Sequence, residues 1–389
     1  MSKKTLYLNV HALQGLPPSC PNRDDVGMPK TCTYGGTLRA RVSSQSWKHA
    51  MRLWNIEHGI EQGIRSRSFV ARLSQELTDR HVENANELAE KALQLIGVVK
   101  EKDPKKNAIA FMSDSQFENI VNAIIDNLES LIAAIKDSKK GKKGKKGSDD
   151  SDDTNGSDDS NDSNDSKNNK NSKIKKVLEN CLKNGYTSDI LLFGRMYADN
   201  PSLNVDAAAQ VAHAISTHEI RVQHDYFTAV EDFKEGDSGA GHIDSKAYSS
   251  STLYRYASVN LSDGSELMEF DRSHAAKVAA DFVKAFVLSM PTGSVNSFAN
   301  RTLPFFVQVE IRSDMPVNYV EAFEKAVKKS ADGYNDASIE ALKAYEKEVA
   351  DMYGAPEKLF IAPEQMNFQQ LVEEVEKYLG EILDERTGD

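Results

Sequence analysis

Residues Tyr34–Trp54 read YGGTLRARVSSQSWKHAMRLW. Gly35–Gly36 is a turn signal, with Arg39 and Arg41 two apart just after it. From Ser44 the spacing becomes helical. Trp47, Ala50, Met51 and Trp54 recur at i, i+3, i+4 and i+7, the stripe of a helix that buries one face. Gln45, Lys48, His49 and Arg52 repeat the same spacing on the opposite side. The Ser43–Ser44 pair offers N-cap hydroxyls, and a helix N-terminus presents free backbone N–H groups to an anion. The segment carries no carboxylate. Backbone donors, arginines and lysine together suit a row of phosphates, whereas a charged outer face alone is the ordinary property of any solvated helix.

Outward from this segment, charge is unevenly placed. The whole chain has a formal net charge of −11, which by itself does not point to nucleic acid. From Met1 to Ile56, however, Lys3, Lys4, Arg23, Lys30, Arg39, Arg41, Lys48 and Arg52 face only Asp24 and Asp25. The acid comes from an Asp-rich tract between Ser148 and Asp165 and from the Glu-rich stretch beyond Tyr319. A local basic surface on an acidic protein follows.

A chain of 389 residues has room for about two or three domains. No apolar run approaches the roughly 20 residues that cross a bilayer, and the opening residues lead into a strand pattern rather than an apolar signal segment. Cys20, Cys32 and Cys181 are odd in number and far apart, which fits a reducing, cytoplasmic setting.

Thr5–Leu13 alternates, with Leu6, Leu8 and Val10 on one face and Tyr7, Asn9 and His11 on the other, predicting a half-exposed strand. Residues 14–34, rich in Pro, Cys, Asn and Gly, predict a long ordered loop. Helices are expected within 66–97, over Ser113–Lys136 as one amphipathic element, over Lys173–Lys183, and over Asp206–Thr217, where Ala207, Ala208, Val211, Ala212 and Ile215 recur. Asp137–Ser172 contains KKGKKGKKG and then Ser, Asp and Asn repeats without one apolar residue, which predicts a disordered insert. Residues 220–233 look extended and exposed. Tyr248–Leu261 and Phe305–Ile311 read as strands, Arg272–Leu288 as a helix, and three helices are expected near Val317–Ser330, Ser338–Tyr353 and Phe368–Leu383. Strand, helix, strand, helix, strand outlines an α+β, ferredoxin-like core with helical insertions, one strand of which lies in a poorly patterned segment.

No catalytic constellation stands out. Asp24 and Asp25 beside Arg23 suit either metal or base chemistry, or an Asx turn with an ion pair. His213 and His218 are five apart and do not share a helix face as zinc ligands would, so they read as core or surface histidines. Tyr226–Phe227–Thr228 places two adjacent aromatics in a polar extended segment. In an ordinary strand one would be buried. In a protruding hairpin both would be available to wedge between bases. Met196, after Gly194–Arg195, suits the same part or plain core filling.

The blocks PSCPNRDD (Pro18–Asp25), YGG…RARVSSQSWKHAMR (Tyr34–Arg52), GRM (Gly194–Met196), VAHAISTHEI…DYFTAVED (Val211–Asp232) and YSSSTLYRYASVNL (Tyr248–Leu261), with SDMP…AFEKAV (Ser313–Val327), span most of the chain. Together they resemble the CasC family, the crRNA-binding backbone subunit of the type I-E CRISPR Cascade complex, an antiviral ribonucleoprotein. The resemblance implies a hand: an RRM-like palm from residues 1–60 and 246–389, helical fingers over 61–190 with the insert 137–172, and a thumb hairpin within 191–245. It implies a non-catalytic, cofactor-free and metal-free subunit. Its partners would be crRNA, target DNA through the guide, further copies of itself and other Cascade subunits, with no membrane. Several copies would polymerise along the guide and kink it at intervals. Carried over by position, Arg23, Lys30, Gln45, Lys48 and Arg52 would hold phosphates. Met196 would wedge beside the kink, and Tyr226, Phe227 and Thr228 would belong to the thumb. Arg39, Arg41, Ser43, Ser44 and His49 complete the candidate RNA-binding set from the residue pattern. His49 stands where the family usually has Arg, Tyr226 where it often has Trp, and no RNP1 signature is present. The competing expectation is an RNA-cleaving backbone subunit using Asp24, Asp25 or Asp225.

Overall fold

The structure is a computed structural model that describes residues 5–101, 103–143, 162–229 and 242–385. It divides into two units. One joins the chain up to Ile60 with the chain from Ala208 onward, and the other is Glu61–Ala207.

In chain order the first unit opens with β1 (Tyr7–Ser19), β2 (Thr31–Tyr34), β3 (Thr37–Val42) and α1 (Ser44–Glu57). The second unit holds β4 (Ile64–Ser66), α2 (Phe69–Asp79), α3 (Ala85–Leu95), β5 (Ala110–Met112), α4 (Asp114–Asp126), α5 (Leu128–Lys143), α6 (Asp162–Leu182) and α7 (Ser188–Phe193). The first unit resumes with β6 (Ala209–Val211), β7 (Ala214–Ser216), β8 (Gln223–Ala229), β9 (His242–Asn260), α8 (Glu266–Asp271), α9 (Ala275–Leu288), α10 (Val295–Phe298), β10 (Phe306–Arg312), α11 (Asn335–Tyr353), β11 (Lys358–Ala362) and α12 (Phe368–Glu385).

The main sheet runs β11-β10-β1-β9-β7-β3-β2, with β6 and β8 pairing other stretches of β9. Its described pairings are antiparallel. Counting β6 and β7 together as one interrupted strand, the inner order β10-β1-β9-β6/β7 is the 4-1-3-2 order of a ferredoxin-like core. α1 precedes strand two and α9 follows strand three. The missing strand is therefore Ala209–Ser216, where the sequence predicts a helix. Its alanines fit either period. Pairing of Ala209–Val211 with Ala257–Val259, and of Ile215–Ser216 with Leu253–Tyr254, decides for the strand.

β1 is an inner strand, between β10 and β9, and is longer than expected. It also differs in being buried on both faces. Its Ala12 pairs with Arg255 of β9 on the side covered by α1 and α9. Asn9, His11 and Leu13 point the other way. There the 3-10 turn Tyr319–Phe323 and α11 cover them. The His11 ring stacks on Tyr319 at 4.4 Å and its Nδ1 lies 2.8 Å from the Tyr254 hydroxyl, while Tyr256 donates to Asn9. Burying polar groups is tolerable when they find such partners. The sheet face is consequently closed. The segment near Val317–Ser330 contributes this 3-10 turn rather than a helix.

In the second unit Leu73, Leu88, Leu93, Ile120, Ile124 and Leu178 belong to one core. α4 starts with a capping box between Ser113 and Gln116. The single helix expected over Ser113–Lys136 breaks at Asn127, whose side chain donates to the Ala123 carbonyl at 2.8 Å. The predicted disordered insert is helical in backbone up to Lys143 and again from Asp162, and residues 144–161 lie outside the described residues. This unit continues to Ala207, beyond the expected boundary at 190.

Candidate nucleic-acid interface

The loop after β1 is shorter than expected and closed on itself. The Asp24 carboxylate accepts the backbone N–H groups of Val26 (3.1 Å) and Met28 (2.8 Å), an Asx arrangement that folds the turn around Gly27. Asn22 then joins loop to helix. Its carbonyl accepts the Lys30 N–H and its side-chain oxygen accepts the Ser43 N–H, each at 2.9 Å. The result holds Arg23 exposed and Lys30 half-buried beside the start of α1.

β2 and β3 form a hairpin turned by Gly35 and Gly36, both at positive φ (56° and 74°). A side chain at Gly35 is excluded twice over, by φ and by the Glu324 carbonyl oxygen, which would lie 1.7 Å from its Cβ. Arg39 and Arg41 part company here. Arg39 is fully buried. It donates to the Thr37 hydroxyl (2.7 Å) and to the carbonyls of Ser216 (2.9 Å), Phe323 (2.9 Å) and Glu324 (3.2 Å). It clamps the hairpin to the palm and does not belong to an RNA-contacting surface, which corrects the sequence reading. Arg41 stays half-exposed. Its Nε donates to Thr31 O (3.2 Å), and its guanidinium lies 3.3 Å from His213 Nδ1.

Ser43 caps α1 through its hydroxyl, which accepts the Ser46 N–H at 3.4 Å. Ser43 is buried in that role, while Ser44 is half-exposed. The inner face of α1 carries Trp47, Ala50, Met51 and Trp54 as the spacing requires. Arg255 of β9 lies 3.6 Å from the Trp47 ring centroid and 4.5 Å from that of Phe286. It donates to Gln14 at 2.7 Å and to the Phe286 carbonyl. Complete burial pushes this guanidinium down to about 9. One residue thus fixes α1 against β1 and α9. On the outer face Gln45 and His49 are exposed and Lys48 and Arg52 half-exposed, with no acidic residue before Glu57.

β8 and the first part of β9 form a hairpin outside the β1 pairing. Gln223 faces Tyr248 and Ala229 faces His242, whereas β1 meets β9 only from Ser249 onward. Tyr226 is 65% and Phe227 42% exposed, and Thr228 is exposed beside them. Adjacent strand residues point to opposite faces, so this ribbon has no buried side at its aromatics. Residues 230–241 lie outside the described residues.

Met196 belongs to the second unit. Gly194 (φ 76°) makes the turn, where a Cβ would press on the Val205 carbonyl. Arg195 is buried and donates to Gln116 (3.0 Å) and to the carbonyls of Leu182 (2.8 Å) and Leu203 (3.0 Å). Met196 is left 78% exposed, which removes core filling as its role.

Two further basic groups border the palm site and lie outside the RNA-binding set expected from the sequence, in which His213 reads as a core or surface histidine. His213 meets Arg41. Lys246, at the base of the hairpin, donates to the Ser297 hydroxyl (2.9 Å) and lies 5.1 Å from the Phe298 ring. Burial pushes the Cys20 thiol up, with Arg23 and Lys246 pulling it partly back. The register between distant strands brings both groups in, and no local motif signals it. Among the described residues no three His, Cys, Asp or Glu side chains gather as a metal-ligand set, and no helix is long and apolar enough to cross a membrane.

No curated protein matches the chain. Among solved structures, it superposes on a chain of a "CRISPR RNA-guided surveillance complex, pre-nicking" with a TM-score of 0.75 at 28% identity, covering 96% of this chain and 100% of that one. A chain of a "CRISPR RNA-guided surveillance complex" shares the fold at a TM-score of 0.64 and 24% identity, covering 96% of this chain and 99% of the other. The pattern of one protein family matches residues 8–385, and by that match the chain belongs to the family of CT1975-like proteins.

Proposed function

We propose that this protein is a non-catalytic, guide-RNA-binding backbone subunit of a CRISPR surveillance complex of the type I-E Cascade kind, a CasC-like subunit. The carrying observation is the outer face of α1. Gln45, Lys48, His49 and Arg52 rise from a capped N-terminus flanked by Arg23, Lys30 and Arg41, with no acidic residue before Glu57 at the helix end. Such a surface grips phosphates and leaves base edges free, as a subunit that carries any guide sequence requires. The closed sheet face favours this edge over base stacking on the palm, which is how RRM modules usually bind. The exposed Tyr226–Phe227 hairpin and Met196 supply wedges for kinking the strand. Copies of the chain polymerise along the guide and hold its bases out for target DNA, within the cytoplasm and beside other subunits of the complex.

The aspartate-dependent nuclease is the weaker reading. The Asp24 carboxylate is occupied in shaping its own turn, and Asp225 lies opposite Lys246 in the hairpin ladder. The test is a triple variant, Arg23→Ala with Lys48→Ala and Arg52→Ala. It is expected to fold and to lose co-purifying crRNA. Unchanged RNA content would show that the helix face is only solvated surface. Mg²⁺-dependent cleavage of RNA complementary to the bound guide, lost on Asp24→Ala, Asp25→Ala or Asp225→Ala, would overturn the non-catalytic assignment.

A further inference from the structure

β3 pairs with β7 so that Arg41 meets Ile215 and Val42 meets Ala214. His213 immediately precedes β7, and Ser43, the N-cap of α1, immediately follows β3. Arg41 approaches His213 Nδ1 at 3.3 Å while its Nε is held by the Thr31 carbonyl. A guanidinium only donates, so the neutral ring accepts at Nδ1 and carries its proton on Nε2. The charged groups acting on this ring are Arg41 from β3 and Lys30 from the loop, with no carboxylate among them. Cys32 lies beside Arg41 with its thiol pushed up by burial, and hence neutral. Three basic groups from three segments thus act on one another, and among the described residues no carboxylate stands among the charges acting on His213.

Resting on the reading of the protein as an RNA grip, we propose that His213 contacts guide-RNA phosphate, completing with Arg41 and Lys30 an anion site that binds more tightly when the imidazole is protonated. In the free chain, partial desolvation and then Arg41 and Lys30 hold His213 below its usual value. A phosphate placed among them reverses the electrostatic part, because an opposite charge within a few ångströms favours the charged ring. The complex then binds a proton that the free chain does not, so affinity rises as pH falls through the histidine range. Protonation also removes the Nδ1 acceptor from Arg41, freeing that guanidinium to bond the same phosphate.

The experiment measures binding of a fluorescein-labelled single-stranded RNA to the full chain at fixed salt between pH 8 and pH 5.5. Wild type is expected to tighten by roughly tenfold, the size of a one-unit rise in protonation midpoint. His213→Gln keeps an uncharged hydrogen-bonding side chain. It is expected to bind within about twofold of wild type at pH 8, a small difference because the neutral ring adds no charge. It should also lose most of the pH dependence, whereas His274→Gln, at an exposed position outside the interface, keeps it. His213→Lys should bind at pH 8 about as tightly as wild type at pH 5.5. NMR of the histidine rings should show the His213 midpoint moving up on adding RNA. A His213→Gln variant that titrates like wild type, with an unmoved midpoint, overturns the inference. If the triple variant loses RNA in the same assay, the general reading survives that result. If wild type binds no RNA even at low salt, where an electrostatic grip is strongest, both fall.

Discussion

Arg39, Arg195 and Arg255 show why an arginine count does not map a nucleic-acid surface. All three are buried and use their guanidinium forks on carbonyls or ring faces of their own fold. In the sequence Arg39 and Arg41 are chemically equivalent and two residues apart. What distinguishes them is the set of carbonyls that Arg39 reaches, those of Ser216, Phe323 and Glu324, all far away in the sequence. Trp47 was legible as core from spacing alone, but its cation partner was not. Trp47→Ala is expected to cost about 3–5 kcal/mol and to loosen α1, read as a lower Tm. A change below about 1 kcal/mol would show that Arg255 does not anchor the helix. Tyr34 gives a pH signature. Partial burial, and then its 3.1 Å hydrogen bond to Glu321, push its phenol up to about 12. The folded chain therefore keeps a proton that the unfolded chain releases near its ordinary value of about 10. The stability this contributes is whole below pH 10 and is lost as pH rises toward 12. Burial shifts Tyr254, Tyr256 and Tyr319 the same way. Thermal melts from pH 9 to 11.5 should fall more steeply for wild type than for Tyr34→Phe, and parallel curves would contradict the assignment.

At the scale of elements, whatever carried a strong local period could be read in advance. α1, α2, α3, α12, the exposed hairpin strand and β10 appear within a few residues of their sequence positions. β6 and β7 could not be read, because alanine-rich sequence at helical spacing becomes strand only when β9 lies beside it. β11, five residues between Gly354 and Pro363, was missed for the same reason and exists as the edge partner of β10. The polar side of β1 looked solvated because nothing in Asn9 or His11 announces a helix above them. For the hairpin, replacing Tyr226 and Phe227 by Ala should leave Tm nearly unchanged, since both are exposed. RNA binding should weaken by about 1–3 kcal/mol for each base stack lost. A large fall in Tm with unchanged RNA binding would make the aromatics structural instead.

The whole molecule sets a small basic edge against a net charge of −11. About five or six phosphate contacts on a single strand correspond to a slope near −4 in log affinity against log salt, whereas a chain without an electrostatic grip gives a slope near zero. The acidic remainder repels stray polyanions, so the free subunit is expected to bind random RNA weakly at physiological salt, and tight monomeric binding would count against this balance. Deleting Lys139–Asn171 should leave assembly intact, because the segment has no apolar residue to contribute to the core. Failure of the deleted chain to enter the complex would make the insert structural. The central claim is that one cationic edge beginning at the cap of α1 holds a ribose-phosphate strand whatever its sequence. A high-resolution map of the particle formed on co-expression with a CRISPR array tests it most directly. The account predicts several copies of this chain with guide phosphates running past Arg23, Lys30, Lys48 and Arg52. A map in which that edge faces protein or bulk water, with the guide routed elsewhere, contradicts it.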